Sequence, residues 1–297
     1  MSKLREIKRR ITSVKNIEKV THAMQMVAAS RMKKAQDRAL HGKQYTEKIK
    51  VMLFELKQSV STLHPLFDAT YSKDAPTVLV VVFSTQRGLA GGLPGTVLRH
   101  TLKTVDAIKK QGKNVEVISI GKKIGEQLAR NDVTVTADFS HLSENPTTGD
   151  IRPITKLIEG EYIDKKVSSV IVIYPDFINP VTYVPVSRML LPFDETLFAQ
   201  FDDKYERKDG HTSTGDFVFE PDAFAILDAL IPRYLETQMY QARLEAVASE
   251  YSARMIAMKS ATDNAKSLND ALKLSFNKSR QALITQEISE IVAAGST

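Results

Sequence analysis

A glycine-rich turn is the first segment whose residue types and spacing could do chemistry. It has the sequence STQRGLAGGLPG at 84–95 and follows TVLVVVF at 77–83, a run typical of a buried strand. Turns of this kind between a strand and a helix bind phosphate in many α/β proteins. The glycines do not form G-x-G-x-x-G, however, and no Gly-Lys-Ser or Gly-Lys-Thr follows them. We therefore predict a structural turn that packs a helix onto a sheet and binds no cofactor.

Residues that could act as nucleophiles or metal ligands form no catalytic pattern. The sequence has no cysteine, which excludes disulfides, thiolate nucleophiles and cysteine-ligated zinc. Ser84 and Ser119 lie near predicted strand ends but lack the sequence of a nucleophile elbow. The histidines are scattered, with no pair at i and i+4, so we expect no metal site and no catalytic residue. They are His22, His41, His64, His100, His141 and His211.

The first 40 residues are basic, with eleven Lys or Arg against three acids, although the formal net charge of the whole chain is only +6. A basic helix can follow the phosphates of DNA or RNA. Here the charges surround an apolar seam, and the segment has no aromatic residue that could stack on bases. We therefore expect no nucleic acid as the partner; the charges fit an acidic protein surface or a solvated face of an ordinary coiled coil. A nucleic-acid-binding arm and a coiled-coil adaptor of another assembly remain alternatives.

The positions of proline and glycine divide the chain into three parts. All 11 prolines lie between Pro65 and Pro232, and residues 1–41 and 233–294 contain neither proline nor glycine. Because both residue types end helices, these two terminal segments are predicted to be long helices. We predict an N-terminal coiled-coil helix at 1–62, a Rossmann-like α/β domain at 63–220 and a C-terminal coiled-coil helix at 221–297.

The two terminal helices are predicted to form a long antiparallel coiled coil. If residues 233–294 are helical they span about 90 Å, and a lone helix of that length cannot bury its apolar stripe in water. Both ends of a domain usually lie at its surface, which favours an antiparallel pair. One step of four is missing near Ile17, which predicts a stammer. The predicted seam residues are Leu4, Ile7, Ile11, Val14, Ile17, Val20, Met24 and Val27, facing Leu244, Val247, Tyr251, Met258, Ala261, Ala265, Leu268 and Leu272.

The C-terminal helix is the longer of the two, so its end is predicted to extend past the N-terminal helix. The last residues, LITQEISEIVAAGST, would then leave several apolar side chains without a partner inside the chain. Exposed apolar surface of this kind usually marks a binding site. The side chains concerned are Leu283, Ile284, Ile288, Ile291 and Val292.

The middle of the chain alternates between strand and helix patterns. Buried strands are predicted at 77–83, 115–120 and 168–174, with helices near 95–111, 122–131 and 151–164 and a further alternating strand at 181–191. This alternation predicts a Rossmann-like, mostly parallel sheet. Pro232 is predicted to kink the last helix or to separate a short lead helix from it.

No segment has the pattern of a membrane span or a secretory signal. No apolar run approaches the roughly 20 residues needed to cross a bilayer. The start, MSKLREIKRRITSV, lacks the apolar core of a signal and continues into the helical pattern. We therefore expect a chain without a direct membrane span and without a transit peptide.

Three segments closely resemble the gamma subunit, or central stalk, of bacterial F-type ATP synthases. They are ITSVKNIEKVTHAMQMVAASRMKKAQ near the start, RGLAGGL in the turn, and FEPDAFAILDALIPRYLETQMYQARLEAVASEYSARMIAMKSATDNA with NKSRQALITQEISEIV near the end. The turn departs from the family pattern at Gln86, Ala90 and Pro94. The missing thiol at Ala90 argues against the redox-regulated chloroplast form.

The resemblance implies a non-catalytic rotor shaft at the cytoplasmic face of the bacterial plasma membrane. Its implied partners are the ring of alpha and beta subunits, the epsilon subunit and the membrane c-subunit ring. No cofactor is implied. Together with the basic and methionine-rich character of the first helix, the resemblance predicts contacts between rotor and ring at Arg9, Arg10, Met24, Arg31, Lys33, Lys34, Arg280, Gln281, Thr285, Glu287, Ile288 and Val292.

Overall fold

The computed structural model describes residues 2–59, 64–143, 146–193, 220 and 222–295. The predicted segment boundaries at 62–63 and at 221 fall on residues outside these ranges. The elements are α1 (Ser2–Ser59), a short 3-10 helix (Pro65–Phe67), β1 (Thr77–Phe83), α2 (Leu93–Lys110), β2 (Asn114–Ile120), α3 (Ile124–Ala129), β3 (Thr134–Asp138), α4 (Thr148–Ile163), β4 (Val167–Asn179), β5 (Thr182–Leu191) and α5 (Ala223–Gly295).

Both terminal helices are long, as the absence of helix breakers predicts. α1 has 58 residues and α5 has 73. α5 continues through Pro232, so the predicted separate lead helix is wrong. Ile231 and Tyr234, on either side of this proline, are fully buried in the main core. Their packing holds the helix together where a hydrogen bond is missing.

The two helices pack antiparallel, which confirms the predicted coiled coil. The Thr262 hydroxyl of α5 donates to the Thr21 hydroxyl of α1 at 2.8 Å, and the Arg31 guanidinium donates to the Tyr251 hydroxyl at 3.0 Å. One residue forward in α1 therefore corresponds to one residue back in α5. Counted back from Thr21 and Thr262 in this way, the first residue of α1 lies level with about residue 281 of α5. The last turns of α5 therefore extend past α1.

The buried seam of α1 differs from the predicted one. It advances by alternating steps of three and four from Leu4 to Ala39 without interruption, so the predicted stammer is absent. Between Val14 and Ala28 the seam contains three half-buried polar residues, Glu18, Thr21 and Gln25, of which Thr21 has a hydrogen-bond partner in Thr262 of α5. Its members are Leu4, Ile7, Ile11, Val14, Glu18, Thr21, Gln25, Ala28, Met32, Ala35 and Ala39. Four predicted seam residues are instead exposed, namely Ile17, Val20, Met24 and Val27.

The seam of α5 shows the same displacement by one residue. Leu268, a predicted seam residue, is 51% exposed, and the next residue, Asn269, is buried at 7%. Ala261 is half-buried beside a buried Thr262. The apolar pattern therefore predicted the pairing of the helices but not which face of each helix is buried.

The inserted domain has a five-stranded sheet in the order β3-β2-β1-β4-β5. β1 pairs in parallel with β2 and β4, and β2 pairs in parallel with β3. Only two residues connect β4 to β5, and such a short connection requires the antiparallel pairing that is observed. These pairings confirm the predicted α/β fold. β3 was not predicted, because it is an edge strand with no buried residue and hence no apolar run.

Helices cover both faces of this sheet. α2 and α3 pack on one face, in a core that includes Val80, Val97 and Leu128. α4, the C-terminal part of α1 and the N-terminal part of α5 pack on the other face, in a core that includes Leu53, Ile154 and Leu235. Both faces being covered explains why β1 is buried along its whole length.

His64 links the base of α5 to the 3-10 helix. Its Nδ1 accepts a hydrogen bond of 3.2 Å from the backbone N–H of Leu66, and its Nε2 lies 3.4 Å from the Asp228 carboxylate. Nδ1 can accept only when it carries no proton, so this geometry requires the neutral ring. Burial also lowers the pKa of His64 below its ordinary value of 6.5, against the opposing effect of Asp228.

Candidate functional site

The glycine-rich turn between β1 and α2 binds α5 through its backbone N–H groups. The backbone N–H groups of Gln86 and Arg87 donate to the two carboxylate oxygens of Glu250 at 3.0 and 3.2 Å. Because a carboxylate of the same chain accepts their hydrogen bonds, the geometry supports the prediction of a structural turn.

Arg254 completes this contact one helical turn further along α5. Its guanidinium donates to the Glu250 carboxylate at 2.6 Å and to the carbonyl oxygens of Arg87 and Gly88 at 3.2 to 3.3 Å. Glu250 and Arg254 are only 5% and 7% exposed. A buried ion pair is tolerated when further hydrogen bonds satisfy both groups, and the turn backbone supplies those bonds here.

Left-handed backbone conformations shape the turn above this ion pair. Leu89 has φ of +61° and Gly91 has φ of +57°. A Cβ atom at Gly91 would lie 3.7 Å from the Cβ of Ala257, so glycine is required there by its conformation and not by lack of space. Leu89 adopts the same conformation with a branched side chain, which is unusual.

The part of α5 that receives the turn is buried on every side. All residues from 242 to 254 are buried, and we call them the enclosed section. Besides the turn, the β4–β5 hairpin contacts it: the hydroxyls of Ser249 and Ser252 donate to the carbonyl oxygens of Pro175 and Pro180 at 2.9 and 2.7 Å. The enclosed section is therefore where the α/β domain holds the coiled coil.

An aromatic ring connects α1 to this contact. The guanidinium carbons of Arg31 and Arg254 lie 5.7 and 5.3 Å from the centroid of the Tyr251 ring. Both distances are in the range of cation–π attraction. Arg31, a predicted contact to a partner, is thus engaged within the chain, although its side chain reaches the surface.

A second polar contact joins the buried Glu245 of the enclosed section to strands β4 and β5. Burial raises the pKa of the Glu245 carboxyl, and the neighbouring Asp176 carboxyl raises it further. Gln241 donates to Glu245 at 3.0 Å, and Arg188 pairs with Asp176 at 3.5 Å. These groups orient α5 against the edge of the sheet.

Sequence reasoning missed the enclosed section because the apolar spacing marked only one face of it as buried, through Leu244, Val247 and Tyr251. One signal could have revealed it. Alanine and serine are dense in this segment and allow other backbones to approach the helix on several sides. They are Ala242, Ala246, Ala248, Ser249, Ser252 and Ala253.

The predicted basic contacts of α1 lie on its exposed surface. Arg10 pairs with Glu6 at 2.7 Å, and both side chains are exposed. Such an exposed pair contributes roughly 0 to 1 kcal/mol and can open readily. Arg9, Lys33 and Lys34 are also exposed. A groove of about 390 Å³ lies beside this part of the helix, lined by Glu6, Arg9, Arg10, Ser13, Val14, Leu268 and Leu272.

Apolar side chains form an exposed stripe on the same helix. Met24, the predicted contact, is 37% exposed, and its neighbours in the stripe are more exposed still. They are Ile17, Val20 and Val27, at 54%, 58% and 53%. This stripe is the consequence of the polar seam, which turns these residues away from α5.

The C-terminal end of α5 is exposed as predicted. From Ile284 to Val292 every side chain is exposed, with Ile288 at 55% and Val292 at 67%. The predicted polar contacts Arg280, Gln281, Thr285 and Glu287 lie in the same turns and are exposed too. The structure thus brings the predicted C-terminal residues together at one end of the molecule, away from the α/β domain.

The described residues contain no arrangement that indicates catalysis. They hold no group of three or more side chains that could bind a metal, and His211 lies outside them. Ser84 and Ser119 are both buried, and the Ser119 hydroxyl donates to the Asp138 carboxylate at 2.5 Å. None of the helices in the described ranges has an apolar stretch sufficient to cross a bilayer.

Comparisons with known proteins give one consistent family. The model of the ATP synthase family matches residues 3–297. The gamma chain of ATP synthase from Legionella pneumophila strain Corby is 35% identical over all of this chain and 99% of its own length. The gamma chain from Paraburkholderia xenovorans strain LB400 is 38% identical, again over all of this chain and 99% of its own length.

Solved structures share the fold. The rotational state 3 structure of the Euglena gracilis mitochondrial ATP synthase OSCP/F1/c-ring contains a chain with a TM-score of 0.66 and 16% identity, covering 99% of this chain and 94% of that one. A chain in the Tetrahymena thermophila central stalk/c-ring structure has a TM-score of 0.57 and 22% identity, covering 82% and 99%.

A long antiparallel coiled coil that carries an inserted α/β domain at one end and a single exposed helix at the other defines a shaft-like subunit. The full-length similarity to curated gamma chains makes this more specific. The chain belongs to the ATP synthase gamma chain family, which confirms the predicted resemblance.

Proposed function

We propose that the chain is the central rotor shaft of an F-type ATP synthase. Ion flow turns the membrane ring, the α/β domain turns with it, and the asymmetric coiled coil drives each catalytic beta subunit through its conformations. The chain itself forms and breaks no covalent bond during catalysis. The same rotation runs in reverse during ATP hydrolysis. Family membership supports this proposal. The fold supports it too, because the α/β domain holds one end of the coiled coil and the C-terminal end of α5 is exposed at the other.

The exposed C-terminal end of α5 is the single observation that carries the proposal. Its apolar side chains form no core within the described part of the chain, yet they lie on a regular helix. Exposure of such an apolar surface to water has an unfavourable free energy, and burial against a partner removes it. The ring of alpha and beta subunits supplies an apolar sleeve around this end.

The remaining contacts to the ring are weak and exchangeable. Arg9, Arg10, Lys33 and Lys34 face acidic loops of the ring through solvent-screened pairs of roughly 0 to 1 kcal/mol each, which form and break during rotation. Arg31, which donates a hydrogen bond to the Tyr251 hydroxyl, also contributes to these contacts with the ring. Near the upper end, Arg280, Gln281, Thr285 and Glu287 meet the beta subunits, and Ile288 and Val292 meet the sleeve.

Methionine suits a surface that meets several partners in turn. Met24 presents a flexible, polarizable side chain without a directional bond, so it forms no deep energy minimum with any one subunit. Met24→Lys adds a directional charged contact and is expected to lower ATP synthesis per proton transported. Unchanged synthesis per proton in vesicles that contain this variant would remove the role given to Met24.

The α/β domain binds the epsilon subunit and the membrane c-subunit ring. The whole assembly places the chain at the cytoplasmic face of a bacterial plasma membrane, as a peripheral subunit. The relatives from Legionella and Paraburkholderia support a bacterial enzyme.

Reconstitution tests the proposal directly. The purified chain is mixed with alpha and beta subunits of a bacterial relative, and rotation of a bead attached to the α/β domain is followed during ATP hydrolysis. Stepwise rotation driven by ATP is the expected result. A chain that joins no ring, or joins it without rotating, contradicts the proposal and favours a coiled-coil adaptor of another assembly.

A further inference from the structure

Two carboxyl groups meet where the β4–β5 hairpin packs against α5. Glu245, in the enclosed section, is only 5% exposed, and its carboxyl group lies within hydrogen-bonding reach of the Asp176 carboxyl group on β4. Two ionised carboxylates have acceptor atoms only, so they cannot form a hydrogen bond with each other. The contact therefore requires that one of the two groups keeps its proton.

The surroundings decide which of the two carboxyl groups carries this proton. The Asp176 side chain is 28% exposed and pairs with the Arg188 guanidinium at 3.5 Å, so a negative charge there is both hydrated and paired. Glu245 is buried, and burial favours the neutral form of a carboxyl group. A neutral Glu245 donates its proton to the Asp176 carboxylate and still accepts the hydrogen bond of 3.0 Å from Gln241. The proton therefore belongs on Glu245.

Opposing effects act on the Glu245 carboxyl group. Burial raises its pKa most, and the Asp176 carboxyl raises it further. The hydrogen bond from Gln241 and the positive charge of Arg188 lower this pKa, but the Arg188 side chain is 59% exposed, so water weakens its effect. The net result is a raised pKa, which agrees with the proton that the contacts place on Glu245.

Two further ionisable side chains lie near this contact. The Tyr174 hydroxyl hydrogen-bonds to Glu245, and burial raises the pKa of this hydroxyl, so it stays protonated and adds no charge. On α1, the residue level with Glu245 is Arg38, by the same count that pairs Thr21 with Thr262, and its side chain is exposed. The charge that changes with pH inside this contact is therefore that of Glu245.

We propose that Glu245 and Asp176 form a proton-dependent contact between α5 and the β4–β5 hairpin. With the proton bound, the two carboxyl groups hold the hairpin against the enclosed section. When the proton leaves as pH rises, a buried negative charge faces a second one and the contact weakens. The same hairpin accepts the hydrogen bonds of Ser249 and Ser252, so a weaker contact loosens the hold of the α/β domain on the coiled coil. This property belongs to the isolated chain and goes beyond the rotor function.

Folding stability should fall as Glu245 loses its proton. In the unfolded chain this carboxyl group titrates near its ordinary value of 4.5, and in the folded chain its pKa is higher. The folded chain therefore binds more protons between these two values. The stability that Glu245 contributes is complete below pH 4.5 and is lost as pH rises through the folded pKa. Each pH unit that separates the two values lowers the folding equilibrium constant about tenfold.

A titration of the Glu245 carboxyl group tests the proposal in the purified full-length chain. Its carboxyl carbon is followed by NMR in protein that contains isotope-labelled glutamate, and the signal is assigned by its loss in Glu245→Gln. We expect a midpoint above pH 4.5. Asp176→Asn removes the second negative charge and should lower this midpoint by about one pH unit. Asp132→Asn, which removes a charge beside β3 at the opposite edge of the sheet, should leave the midpoint unchanged.

Unfolding in urea at a series of pH values supplies a second measurement. Glu245→Gln keeps an acceptor for Gln241 and offers an N–H to Asp176, so it imitates the protonated side chain. Its stability should lack the fall that the unchanged chain shows as pH rises through the Glu245 midpoint. A midpoint at or below pH 4.5 overturns the proposal. The same pH dependence in both chains overturns it as well, and so does a Glu245→Gln chain that does not fold.

Discussion

Truncation of the chain after Leu283 tests the role of the exposed C-terminal end. The change removes Ile284, Ile288, Ile291 and Val292, which are 46%, 55%, 72% and 67% exposed. Full burial of a side chain of this size is worth roughly 1.5 to 3 kcal/mol, and about 60% of that remains to be gained here. The four side chains together therefore hold about 4 to 7 kcal/mol for a partner and contribute little to the fold.

The assay compares folding with assembly. The free energy of unfolding of the isolated chain, measured in urea, should change by less than about 1 kcal/mol, because the removed turns lie beyond α1. Affinity for the ring of alpha and beta subunits should fall by about thirtyfold or more, even if ordering on assembly offsets half of the transfer energy.

A point variant with a matched control separates apolar burial from helix length. Ile291 and Val181 are both 72% exposed, but Val181 lies in the β4–β5 connection. Ile291→Asp is expected to weaken ring binding, and Val181→Asp is not. A truncated chain that binds the ring as tightly as the full chain would refute the reasoning, as would a large loss of stability in the isolated truncated chain.

Three further predictions concern the fold itself. Glu250→Ala leaves the Arg254 charge buried without its carboxylate and should cost about 3 to 5 kcal/mol in urea unfolding; the double change Glu250→Leu/Arg254→Met should cost clearly less, and equal losses would contradict a buried ion pair. Gly91→Ala should cost about 1 to 2 kcal/mol through its left-handed conformation, and Gly88→Ala, where an added Cβ meets nothing within 4 Å, should cost less. The folded-state pKa of His64 is lowered, so its contribution to folding stability is complete above pH 6.5 and is lost as pH falls through the folded pKa. In His64→Asn the capping side chain does not titrate, so the loss of stability at acid pH should be smaller by about 1 kcal/mol.

The sequence predicts the fold well because its main signals are strong. Two segments without proline or glycine predict the long helices, and the buried runs at β1, β2 and β4 predict the parallel centre of the sheet. β3 escapes prediction because an edge strand buries nothing and needs no apolar run. At Pro232 the sequence leaves a kinked helix and a separate lead helix open, and tertiary packing at Ile231 and Tyr234 decides for one continuous helix.

The surface of the coiled coil is harder to predict than its existence. Apolar spacing predicts Ile17, Val20, Met24 and Leu268 as seam residues, yet the observed seam contains their neighbours. Only the facing helix decides between such close alternatives, because the Thr21–Thr262 hydrogen bond exists only in the assembled pair. The predicted partner contacts at the C-terminal end need no such information, since length alone leaves that end without a companion.

Burial is distributed unevenly along α5, and this distribution separates two mechanical requirements. In the enclosed section, hydrogen bonds accepted by the Glu250 carboxylate and donated by the Arg254 guanidinium fix one side of the helix. Those donated by Ser249 and Ser252 fix a side roughly 150° away around it, at about 100° per residue. Apolar contacts alone are non-directional and would resist rotation of the helix less well. From Met258 onward only one face of α5 is buried, and it includes the polar residues Thr262 and Asn269. Changes in the enclosed section should therefore appear as lost stability, whereas changes above it should appear as altered coupling in a chain that still folds.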